Sequence, residues 1–130
     1  MKKKSRLAGG VLITAKDTNR VFLLLRNGVS RSPNTWSMVA GTIEDGETPL
    51  KGLKREVGEE LSIDPEIIDY KFICTETSES RNLYFSYFGG EVKSEFVPTL
   101  NDENTDFGWF DKDDLPSPLF EGMVEKIAKI

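Results

Sequence analysis

The fold class this sequence predicts is α+β, a mixed β-sheet held between helices, and three observations predict it. Apolar runs of strand length stand on both sides of one sharply bounded amphipathic helix. A second amphipathic stretch closes the chain. The resulting order of strands, helix, strands, helix suits a mixed sheet with helices packed on it. The 130 residues, 38% hydrophobic and 30% charged, suit a single domain over 1–130 with one core.

In chain order, residues 9–14 read as a strand, and Asp17, Thr18 and Asn19 supply turn chemistry. Residues 21–25 return as a largely buried second strand, and 27–34, with Gly28, Ser30, Ser32 and Pro33, read as a loop. A short extended piece over 36–39 leads into a glycine-containing turn over 41–46. Thr48 then offers an N-cap oxygen and Pro49 occupies the first helical position, where a missing N–H costs nothing. Leu50, Leu53, Val57 and Leu61 give that helix one apolar stripe, and 62–65 ends it. Strands are expected at 67–74, 83–88 and 105–111, with Gly89 and Gly90 as a turn. Ser117 and Pro118 predict a last helix running through Leu119, Met123, Ile127 and Ile130.

Composition narrows the chemistry. There is no histidine, so any general base must be a carboxylate, lysine, tyrosine or the lone Cys74. One cysteine excludes an internal disulfide and points to a reducing, cytoplasmic setting. No apolar run approaches the roughly 20 residues of a membrane span. Residues 1–6, with three lysines and an arginine, read as a flexible basic arm, not a signal peptide. The net charge of −5 argues against a general nucleic-acid binder. An anionic substrate would need something such as bound divalent metal to offset repulsion, although on charge alone −5 is more simply a surface that keeps a protein soluble.

The informative segment is 41–63. At about 100° per residue, Glu56, Glu59 and Glu60 share an arc beside the apolar stripe. Three carboxylates at the edge of a buried face repel one another unless a cation sits among them, and hard ions such as Mg²⁺ take oxygen ligands of this kind. Three glutamates alone would more readily be read as a solvated acidic face. Gly52 and Gly58 tilt the balance, because each costs about 1 kcal/mol inside a helix and a solvated face has no use for them. Glu47 lies where it can pair with Arg55 and tie the preceding loop to the helix.

Gly41, Glu47, Arg55, Glu56, Val57, Glu59, Glu60 and Ile63 fall at the spacing of the Nudix box, and the chain resembles that family over most of its length. Two positions depart from the family pattern: Ser62 stands where a helix-ending glycine is usual, and Ala40 where a glycine commonly precedes the box. The resemblance implies an α/β/α sandwich and a pyrophosphohydrolase that cleaves a nucleoside diphosphate linked to another group. It implies Mg²⁺ or Mn²⁺ on Glu56, Glu59 and Glu60, with the Ala40 carbonyl as an auxiliary ligand and Arg55, paired with Glu47, orienting Glu56. Glu59 is the first candidate for general base, Glu103 the second and Asp106 the third. Trp36 and Tyr84 are candidates for stacking on a base, and Arg26 and Arg31 for phosphate. The implied partner is a small nucleoside diphosphate derivative, with 5′-triphosphorylated RNA left open, no membrane, and a homodimer allowed. The alternative is a catalytically weak nucleotide-binding module on the same fold. A related isomerase chemistry would need Cys74, which reads as a small buried strand residue.

Overall fold

The computed structural model describes residues 5–130. β1 (Arg6–Ala15) is the hub of a seven-stranded mixed sheet. It runs parallel to β6 (Leu83–Val92) along its whole length, from Arg6↔Leu83 to Ala15↔Val92. Its other edge is divided between two antiparallel partners. β4 (Val39–Ile43) takes the first half, from Leu7↔Ile43 to Val11↔Val39, and β2 (Val21–Arg26) meets the far end at Thr14↔Val21. β2 in turn carries β7 (Asn104–Phe110) and the two-residue β3 (Trp36–Ser37), and β5 (Asp69–Ser78) extends the sheet antiparallel to β6.

Side chains of a strand alternate between faces, and the two faces here build two cores. Val11, Ile13, Phe22 and Leu24 turn toward helix α1 (Pro49–Leu61) and meet Leu53, Val57 and Leu61. Leu12, Val21 and Leu23 turn the other way, toward Tyr87 and the short helix α2 (Met123–Ile127), whose Met123 and Ile127 are buried. The sheet is therefore covered by a helix on each face, as the sequence predicts. Among the described residues no helix is long and apolar enough to cross a membrane.

Several boundaries differ from expectation. Of the expected basic arm, residues 1–4 lie outside the described residues, whereas Arg6 already opens β1. Gly41 is paired in β4 across from Gly9, so the turn begins only after Ile43. Residues 65–67 form a 3-10 turn, and β5 starts at Asp69. Gly89 and Gly90 continue β6 instead of turning. A Cβ on Gly90 would stand 2.8 Å from both Ile68 Cγ2 and Val11 Cγ2, so this glycine admits two apolar side chains across the strand.

The tail is the largest correction. No helix starts at Ser117, because the backbone there is used elsewhere: Trp36 N–H donates to the Pro118 carbonyl at 2.9 Å, and Phe120 N–H to the Trp36 carbonyl at 2.8 Å. Residues 118–120 thus run beside the exposed edge of β3, and only Met123–Ile127 is helical.

Candidate active site

Helix α1 supplies the centre of the site. Thr48 accepts from Lys51 N–H at 3.2 Å and Pro49 follows it, as the capping pattern predicts. The helix lies close on β4. A Cβ on Gly52 would sit 2.7 Å from Ile43 Cδ1 and 2.9 Å from Glu47 Oε1, which gives this glycine its packing reason. Gly41 answers a second close approach: a Cβ there would collide with the Glu56 side chain. Nothing stands within 4 Å of a Cβ on Gly58, and no packing in the structure explains that glycine.

Because α1 presses on the sheet, Glu56 and Glu60 are buried at 9% and 3% exposure, an unusual place for carboxylates. Glu103 joins them from the loop before β7, and one oxygen from each of Glu56, Glu60 and Glu103 lies within 4.8 Å of the others. That loop is fixed at both ends: Asn101 Nδ2 donates to the Glu59 carbonyl at 3.2 Å, and Asn27 N–H donates to the Glu103 carbonyl at 3.1 Å. Asn104 Nδ2 reaches Glu60 Oε1 at 3.1 Å. Glu60 Oε2 is buried with no partner, alone in that state among the described residues.

Burial, with Glu103 and Glu56 facing it, pushes the Glu60 carboxyl up to about 9. Burial also raises Glu56, against the pull of Arg55. Three crowded carboxylates, one with an unpaired buried oxygen, form a donor set suited to a hard divalent cation. The residues present therefore fit a metal centre built from Glu56, Glu60 and Glu103.

Arg55 ties the loop to the helix as expected. Its Nε and Nη2 reach the two Glu47 oxygens at 2.9 and 3.0 Å, and Nη1 donates to Glu56 Oε1 at 2.9 Å. Nη2 also meets the Thr42 carbonyl at 3.0 Å. The guanidinium holds Glu47 below the ordinary carboxylate range, and Glu47 foremost raises Arg55. Glu59 stands apart: its carboxylate is 55% exposed and turned to Arg55 Nη1 at 3.3 Å. Asp106 is exposed and accepts from its neighbour's N–H, Phe107, at 2.8 Å.

The cluster borders a cleft of about 670 Å³ whose lining includes Glu56, Glu103, Ala40, Arg26, Arg31 and Arg81. The Arg26 and Arg31 guanidinium carbons lie 5.0 and 5.6 Å from the centre of the Phe120 ring. Burial foremost, then the Arg31 charge, lowers the affinity of Arg26 for its proton, against the pull of Glu60 and Glu103. Trp36 and Tyr84 are not in the cleft. Trp36 packs edge-on against Phe110 at 5.1 Å, and Tyr84 shares the sheet face of its partner Leu7, opposite to Phe85. Phe85, Phe120, Arg81 and Lys126 line the cleft without having been singled out in the sequence. Period-two alternation from the buried Tyr87 would have found Phe85; the other three arrive by register and loop path.

The family described as NUDIX domain matches residues 4–130. The chain is 37% identical over 124 residues to the dihydroneopterin triphosphate diphosphatase of Haemophilus influenzae, covering 84% of this chain and 76% of that protein. The solved dihydroneopterin triphosphate pyrophosphohydrolase of E. coli superposes with a TM-score of 0.64 at 26% identity, covering 85% of each chain. A MutT NUDIX hydrolase from Burkholderia pseudomallei matches in fold with a TM-score of 0.75 at 20% identity, over 98% of this chain and 99% of that one.

Proposed function

This chain belongs to the Nudix family and is a hydrolase of phosphoric anhydride bonds, and on that premise we propose that it cleaves a triphosphate-bearing nucleoside or pterin at the Glu56–Glu60–Glu103 centre. The observation that carries the proposal is the buried, unpaired Glu60 Oε2, set among two further carboxylates beside an arginine-lined cleft. The family's chemistry uses divalent ions, and Mg²⁺ or Mn²⁺ fits this donor set.

In this reading Glu56 and Glu60 hold the ion from rigid helix positions and Glu103 closes the set from its loop. When bound, the ion neutralises charge on the anhydride oxygens and lowers the pKa of a coordinated water. Arg55 keeps Glu56 aimed at the centre by a 2.9 Å bond, while Glu47 holds Arg55. Glu103 takes the proton from the attacking water. Its carboxylate lines the cleft, whereas the Glu59 carboxylate is turned to Arg55. Ala40 lines the cleft beside Gly41 and contributes its carbonyl as an auxiliary ligand. Arg26, Arg31 and Arg81 receive the remaining phosphates, where planar guanidinium groups give paired hydrogen bonds. The similarity to the diphosphatase named above supports dihydroneopterin triphosphate as the first substrate to try, ahead of nucleotide sugars and dinucleotides.

The test is a phosphate- and pyrophosphate-release panel with Mg²⁺ and with Mn²⁺. It covers dihydroneopterin triphosphate, nucleoside triphosphates, ADP-ribose and dinucleoside polyphosphates, with Glu56→Gln as the blank. Turnover of a triphosphate well above the blank, abolished by EDTA, supports the reading. Blank-level release across the panel would transfer support to the nucleotide-binding module.

A further inference from the structure

Besides the long Arg31–Glu121 contact, the cleft holds a closer ion pair that the hydrolytic centre does not use. Lys126 Nζ lies 2.9 Å from Glu76 Oε1, with the two side chains 15% and 43% exposed. Strand register builds this corner: Glu76 of β5 stands directly opposite Phe85 of β6, so both project from the same face of the sheet. Lys126 comes from α2, with its Nζ 5.9 Å from the Phe85 ring centre. Its backbone is pinned by Tyr87, whose hydroxyl donates to the Lys126 carbonyl at 2.7 Å. The Phe85 ring lies across β1 at Gly10, where a Cβ would come within 2.7 Å of Phe85 Cζ. Glu76, Phe85 and Lys126 all line the cleft that reaches the carboxylate cluster.

A carboxylate facing the inside of a phosphate-binding cleft would repel phosphate. A ligand group that lies against the free acceptor positions of Glu76 is matched by N–H donors. Read along its polar edge, the corner offers one ammonium donor from Lys126 beside the acceptor oxygens of Glu76, over an aromatic surface. The complementary edge is flat and reads acceptor, donor, donor: a ring carbonyl, a ring N–H and an exocyclic amine. We propose that Glu76 and Lys126 form a recognition site for the 2-amino-4-oxopyrimidine edge shared by guanine and pterin rings, with Phe85 as its apolar floor. Glu76 accepts from the ring N–H and the amine, and Lys126 donates to the carbonyl. Adenine presents its amine where Lys126 also donates and has no N–H for Glu76, so it leaves both groups unpaired. Hypoxanthine keeps the carbonyl and N–H and loses the amine alone. A missing partner at such a site weakens binding on the order of 10- to 100-fold.

The assignment deepens the triphosphate reading and rests on it for placing the phosphates, but ring recognition can be measured without turnover. Calorimetric titration with GMP, IMP, AMP and neopterin monophosphate, in Mg²⁺, should rank GMP and the pterin at least about 10-fold above AMP, with IMP between. The relative affinity of GMP and the pterin names which ring is the natural one. Glu76→Gln, which puts an amide donor against a ring donor, should bring GMP to within about twofold of AMP. Exchanging the pair (Glu76→Lys with Lys126→Glu) keeps the ion pair and the melting temperature but reverses the pattern, and should lose the preference as well. Equal binding of all four ligands, binding of none, or a preference that survives the exchange would overturn the proposal and leave the pair as a strut between β5 and α2. The ranking without any triphosphate turnover would sink the hydrolase substrate assigned above and leave this site standing. Turnover without the ranking would do the reverse.

Discussion

The two ends of the cleft are built on opposite plans. At the α1 end, Glu56 and Glu60 lie one helical turn apart on a single helix, and Arg55 joins that helix to Glu47. At the other end, Arg26, Arg31, Arg81, Phe85, Phe120 and Lys126 come from three separate stretches of chain, 26–31, 81–85 and 120–126. The first end is rigid by local geometry and carries charge at the expense of stability. The second depends on how strands register and how the tail docks on β3, and its pairing is uneven, from the 2.9 Å Lys126–Glu76 pair to the exposed 3.5 Å Arg31–Glu121 contact. Substrate choice can therefore drift at one end without disturbing the chemistry at the other.

That contrast can be broken by substitution. The largest effect is expected at α1. Glu60→Gln should lower turnover on the order of 10³-fold by removing a charged ligand where charge develops, whereas Arg81→Ala should act mainly on KM. Comparable losses in kcat from both would erase the distinction. Arg55→Ala comes next, with a kcat loss of about 10- to 100-fold through misplacement of Glu56. Its melting temperature should fall modestly, and restoration of kcat by Arg55→Lys to the wild-type level would argue against the paired geometry.

A smaller effect concerns stability and pH in the metal-free protein. Glu60 is raised from its ordinary value of 4.5 to about 9 on folding. An acid raised in this way favours the folded state while protonated, so its contribution is full below pH 4.5 and is lost as pH climbs through about 9. Thermal melts without metal should fall between pH 6 and pH 9 and recover on adding Mg²⁺, while Glu60→Gln should show a weaker slope. A slope unchanged in that variant would place the effect elsewhere.

The smallest effect lies at the helix end. Ser62 has φ 54 and ψ 40, a left-handed conformation that glycine adopts freely. Its N–H still bonds the Gly58 carbonyl at 3.1 Å. Ser62→Gly should change stability by only a few tenths of a kcal/mol, since relieved strain is offset by a more flexible unfolded chain. A loss of more than about 1 kcal/mol would mean the serine side chain does something else.

The same contrast explains what the sequence made legible. Helix α1, its cap, its stripe and the Glu47–Arg55 tie are set by spacings of three to eight residues, and all were readable. The helix-covered sheet was readable in the order of its elements and in the continuous apolar run of β2, whose residues are divided between the two cores. Glu103 stood only as one candidate among several because nothing local distinguishes it; Asn27 and Asn101 place it by contacts across the fold. Trp36 and Tyr84 stand outside the cleft lining, a placement the sequence does not disclose because an aromatic residue in a strand declares its type and not its face. The tail failed for a similar reason: Ser117–Pro118 is a sound helix start in isolation, and the open edge of β3 outcompetes it for the backbone.

The most direct test of the central claim is Mn²⁺ titration by calorimetry on the wild type, Glu60→Gln and Glu59→Gln. Because the ion is assigned to Glu56, Glu60 and Glu103, Glu60→Gln should weaken binding at least about 10-fold, and Glu59→Gln should stay within a few-fold of wild type. Wild-type affinity in Glu60→Gln, with binding lost in Glu59→Gln, would contradict the account and move the ion to the exposed face of α1.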